Sequence, residues 1–92
     1  MTLPELEALR RAIDETDRRL LSLVAERVRL VLQVGDLKRR EGIAVHDPSR
    51  ERALLDRLSA EPPPPLDAQT ITRVFERIVE ESRRLEQRHV DR

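Results

Sequence analysis

From Leu6 to Val34 the apolar residues recur mostly at steps of three and four with no proline between them, and that run constrains the fold more than any other feature. Its members are Leu6, Leu9, Ile13, Leu20, Leu23, Val24, Leu30, Val31 and Val34. Thr2 followed by Glu5 fits a capping box at the start, and Gly35 costs about 1 kcal/mol, which one helix tolerates. The pattern predicts a single helix over about residues 3–40. At 1.5 Å per residue that helix is about 57 Å long, whereas a compact globule of this chain length has a radius of gyration of only about 12 Å. The helix must overhang its own protomer. Because the apolar stripe continues along the overhang, a second copy related by two-fold symmetry is expected to cover it.

The rest of the chain reads as two further helices. A break at Glu41-Gly42 and a short loop lead to Asp47, an N-cap followed by Pro48 in the first helical position, where its missing N–H costs nothing. The second helix is expected over about 48–59, with Leu54, Leu55 and Leu58 on its apolar side. Pro62 to Pro65 forbid helix and favour an extended polyproline stretch. Asp67 then caps a third helix over about 68–88, with Ile71, Val74, Phe75, Ile78 and Leu85 on one side, before a charged tail. The expected fold class is all-α: one domain over residues 1–92, with one long, one short and one medium helix, intertwined as a homodimeric bundle.

Composition removes several functions. Lys plus Arg is 18 and Asp plus Glu is 18, so there is no basic excess to offset nucleic-acid phosphates. A single aromatic, Phe75, offers no platform for stacking bases. With no Cys and two His, neither a thiol nucleophile nor a zinc cluster can be assembled. No apolar run approaches the roughly 18 residues of a membrane span, and the chain is expected to be soluble and cytoplasmic.

Charged residues make up 39% of the chain. Most belong to solvated helix faces, but some do not. At about 100° per residue, Arg27 lies in the middle of the apolar stripe, with Leu20, Leu23, Val31 and Val34 within about 40° of it. Lys38 returns to about the same angle, roughly 16 Å further along. Two inward cations need either carboxylate partners or an anion, and helical geometry alone leaves both open. On the second helix Asp47, Arg50 and Glu51 share the side of Leu54 and Leu58; capping accounts for Asp47 but not for the other two. On the third helix Ser82 falls within the stripe and Glu86 at its edge, while Gln87 points away. Arg10, about 100° from Arg27, is unremarkable on its own. Together these residues describe a pocket for a small polyanion, a dicarboxylate with hydroxyls, in which catalysis comes from positioning and electrostatics.

The segments Leu9-Arg10-Arg11-Ala12-Ile13-Asp14, Leu20-Leu21, Ala25-Glu26-Arg27, Val34-Gly35-Asp36-Leu37-Lys38 and Asp47-Pro48-Ser49-Arg50-Glu51-Arg52 resemble the all-helical chorismate mutases over about residues 3–88. The resemblance implies an intertwined dimer that rearranges chorismate to prephenate, on the route to phenylalanine and tyrosine, with no cofactor and no metal. It further implies that Arg27, and Arg10 from the other protomer, hold the substrate carboxylates, with Arg50 near them. Lys38 would donate to the ether oxygen, Asp47 and Glu51 would lie near the ring hydroxyl, and Ser82 would line the carboxylate end. Glu86 stands where the best-known bacterial pattern has Gln, a second donor to the ether oxygen, and must be protonated to donate. Burial would raise its pKa and Lys38 would lower it, and sequence does not decide between them. An isochorismate pyruvate lyase on the same scaffold and a noncatalytic dimeric regulatory module are the alternatives.

Overall fold

The computed structural model describes residues 3–92. It consists of α1 (Pro4–Glu41), α2 (Pro48–Ser59) and α3 (Ala68–Val90), with no strand among the described residues. None of these helices is long and apolar enough to cross a membrane.

Most of the helix ends have an identifiable cause. At the start of α1, Leu3 takes the cap position in extended backbone without a side-chain cap, and Pro4 occupies the first helical position. The helix therefore begins one residue later than a Thr2 cap would place it; Thr2 itself lies outside the described residues. At its other end Gly42 adopts the left-handed conformation (φ 69°), Ile43 N–H donates to the Lys38 carbonyl at 2.8 Å, and Gly42 N–H donates to that of Arg39 at 3.4 Å. This is a Schellman cap, and a residue with a Cβ would be strained at Gly42. Asp47 caps α2 by accepting from Arg50 N–H at 3.1 Å, and Asp67 caps α3 by accepting from Thr70 N–H at 2.7 Å. Hydrogen bonds from the backbone and side chain of Thr70 hold the exposed Asp67 carboxyl below its ordinary pKa.

Two expectations change. The proline run is not extended throughout: Leu66 N–H donates to the Pro63 carbonyl at 2.9 Å around a cis Pro64–Pro65 bond. This is the turn type that carries a cis-proline in its third position, and it reverses the chain within four residues. Helix α3 also runs two residues past the expected end, to Val90. Its last turn is anchored there, because His89 Nε2 meets Asp36 Oδ1 of α1 at 2.8 Å and Val90 packs near Gly35.

Helix α3 is the central element, packed against both α1 and α2. The molecule measures 60 × 30 × 15 Å with a radius of gyration of 17.1 Å, well above the roughly 12 Å of a compact chain of this length. Ile71 is the one buried apolar side chain among the described residues. Along α1, Leu9, Ile13, Leu20, Leu21 and Leu23 are each more than half exposed. A single copy thus leaves most of the stripe predicted from the sequence facing water.

Candidate active site

Where α3 meets the C-terminal half of α1 and the first turns of α2, a pocket of about 270 Å³ opens. That is just under the range of about 300–1,000 Å³ typical of sites for drug-sized ligands. Arg27 and Lys38 from α1, Asp47 at the cap of α2, Arg50 and Glu51 from its first turn, and Ser82 and Glu86 from α3 all line it, together with Val31, Val34, Val45, Leu54, Val79 and Arg83. Seven of the eight residues expected from the sequence are brought together. Arg10 is not. It is exposed near the other end of α1, about 26 Å from Arg27 along the helix axis, and does not line the pocket of its own chain.

The cations are held by neutral groups. Arg27 Nη1 donates to Ser82 Oγ at 3.0 Å, and Ser82 in turn donates to the Ile78 carbonyl at 2.6 Å. Ser82 therefore back-bonds to its own helix and orients the guanidinium at the same time. Lys38 Nζ donates to the Val45 carbonyl at 2.8 Å, a contact that the Schellman cap makes possible by folding the 43–47 loop back over the end of α1. Among the described residues, Arg27, Lys38 and Arg50 form no ion pair with any carboxylate. Within one chain, neither Arg27 nor Lys38 is held by a buried salt bridge among the described residues. Both keep N–H groups free for a ligand. Arg50 differs from its helical-wheel reading: it lines the pocket but is exposed.

Glu86 is the buried acid of the site, only 6% exposed, and its Oε2 is buried without a hydrogen-bond partner. Loss of water raises its pKa above the ordinary 4.5; Lys38 pulls it down, Glu51 pushes it up, and the net direction is upward. Gly35 explains how the carboxyl fits. A Cβ there would stand 2.9 Å from Glu86 Cγ, 3.2 Å from Oε2 and 3.2 Å from Val90 Cγ1, so the glycine leaves a notch on α1 that receives Glu86.

Two participants escaped sequence reasoning. Gly35 was a tolerated helix fault until its neighbour on α3 was known. Arg83 lies about 140° from Ile78 on the helical wheel, outside the stripe, yet lines the pocket. A middle helix has two inward sides, and allowing α3 a second one is the signal that finds Arg83.

A family profile described as Chorismate mutase type II matches residues 9–87. The chain is 41% identical over 54 residues to a chorismate mutase of Methanocaldococcus jannaschii, covering 59% of this chain and 54% of that protein. It spans about half or less of the curated relatives it matches. Among solved structures, chorismate mutase form II from Thermus thermophilus superposes with a TM-score of 0.87 at 39% identity, over 91% of this chain and 96% of that one. Chorismate mutase from Helicobacter pylori in complex with prephenate gives 0.85 at 27% identity, over 94% and 93%. The family match takes in most of α1 and α3, all of α2 and every pocket residue named above, and the chain belongs to the chorismate mutase type II family.

Proposed function

We propose that this protein rearranges chorismate to prephenate in a pocket completed by a second copy of the chain. The observation that carries the reading is the convergence of Arg27, Lys38 and Arg50 on one small cavity without a carboxylate partner for any of them. Unpaired cations at a partly dry site favour a bound dianion. The relatives named as chorismate mutases, one of them solved with prephenate, indicate which dianion.

The rearrangement is intramolecular: a C–O bond of the enol ether breaks while a C–C bond forms, and no atom enters or leaves. The protein's part is to hold the compact conformer and to stabilise charge at the ether oxygen. Arg27 fits one substrate carboxylate bidentately, its orientation set by Ser82, and Arg50 adds positive charge to the pocket. Lys38, tethered by one N–H to Val45, turns its remaining donors toward the ether oxygen. Glu86 in its protonated form supplies a second donor, and a bound dianion raises its pKa further. Asp47 and Glu51 face the ring hydroxyl. Arg10 of a second copy meets the other carboxylate. The exposed apolar face of α1 supports that copy, since most of its leucines have no cover within one chain.

The deciding experiment is incubation of the purified protein with chorismate in the presence of a chelator, with products identified by NMR. Prephenate is expected. A protein inert toward chorismate that releases pyruvate from isochorismate is instead a lyase, and one that turns over neither is a binding module.

A further inference from the structure

At the mouth of the pocket three side chains from three different segments form a triangle. Arg83 Nη1 of α3 lies 2.6 Å from His46 Nε2 of the loop and 3.8 Å from Glu51 Oε2 of α2, and His46 Nε2 lies 3.5 Å from that same Glu51 oxygen. A guanidinium only donates, so His46 Nε2 accepts from Arg83. Both neighbours of the Glu51 carboxylate fall on Oε2. Oε1 is left free of them, on a side chain that lines the cavity.

The geometry points to Arg83 as a positioning residue for Glu51: with His46 as its second anchor, it fixes one carboxylate oxygen at the rim so that the other faces a hydroxyl in the pocket. Nothing else ties Glu51 to α3 by charge among the described residues, since no other Lys or Arg lies within ion-pair distance of it, and His46, accepting from Arg83 through Nε2, adds no charge there. The side chains of Arg83 and Glu51 are 37% and 27% exposed, so the contact is partly screened and its value lies in orientation more than in stability. This rests on the reading of Glu51 as the hydroxyl acceptor, and the two can fail separately.

The experiment measures kcat and KM for chorismate in Arg83→Met, Arg83→Lys, Glu51→Ala and the Arg83→Met/Glu51→Ala pair. Contacting residues are coupled, so Arg83→Met is expected to raise KM by about three- to tenfold in the parent, to lower kcat less, and to change KM by less than about twofold once Glu51 is gone. Arg83→Lys, which keeps the charge, restores most of the loss. An equal rise in both backgrounds, or none in the parent, overturns the role of Arg83 while leaving that of Glu51. An unchanged KM in Glu51→Ala overturns the role of Glu51 and every route through it. Independently of turnover, the 15N resonances of the Arg83 guanidinium in the ligand-free protein should shift in Glu51→Ala, and unmoved resonances overturn the contact.

Discussion

Glu86 shows how one side chain can carry a pH dependence into a reaction that transfers no proton. Its carboxyl is stripped of water and unpartnered at Oε2, and Lys38 offsets only part of that loss. The donating form is therefore populated below the raised pKa and depleted above it. Activity should rise toward mildly acidic pH in the parent and stay flat in Glu86→Gln; pH profiles of equal shape would remove Glu86 as a donor. The same shift enters stability with a definite sign. Folding favours protonated Glu86, so its contribution is complete below the ordinary value of 4.5 and is lost as pH rises through the raised one. Glu86→Gln should accordingly melt higher than the parent at about pH 8, with the advantage vanishing near pH 4, as read by calorimetry. Lys38 is the other donor in the proposed reaction. Losing a preorganised donor at a developing oxyanion costs roughly 3–4 kcal/mol of barrier, so Lys38→Ala should lower kcat by about two to three orders of magnitude. A loss under about threefold would place Lys38 outside the reaction. At this scale the sequence was informative wherever a charge or hydroxyl interrupted an apolar stripe, as with Arg27, Lys38, Ser82 and Glu86. It was silent on Gly35 and Arg83, whose roles are defined by a neighbour on another helix and leave no mark on their own.

The helices themselves were legible because their ends obey local chemistry. Asp47, Asp67, Pro48 and Gly42 each act within a few residues of where they stand, so the boundaries of α2 and the start of α3 followed from the sequence. The proline run was less legible, because proline fixes φ but leaves the peptide-bond isomer to the surroundings. The end of α3 was missed for a related reason: His89 and Val90 extend it through contacts with Asp36 and near Gly35 on another helix. Gly35 also makes a prediction at this scale. Alanine there gains about 1 kcal/mol of helix propensity, but its Cβ meets Glu86 and Val90, and overpacking of this kind costs about 1–3 kcal/mol. Gly35→Ala should therefore lower Tm and turnover together. A variant that melts higher and retains full activity would show that α1 and α3 do not depend on the notch.

On the scale of the whole molecule, the length of α1 set against the length of the chain is the argument that matters. A 38-residue helix in a 92-residue protein gives a 60 Å rod whose leucines face water, and Arg10 lies far from the pocket lined by its own chain. The proposed second copy, laid antiparallel along α1, would account for both facts by burying the stripe and bringing Arg10 to the neighbouring site. Analytical ultracentrifugation should find a dimer at all practical concentrations, without a stable monomer. The most direct test of a shared electrostatic site mixes two inactive proteins. Arg10→Ala and Lys38→Ala each spoil every site in their own dimers. A mixed dimer contains one site with both residues intact, so unfolding the two together and refolding them should restore about a quarter of the parental rate of prephenate formation. A mixture no more active than its components would contradict the account.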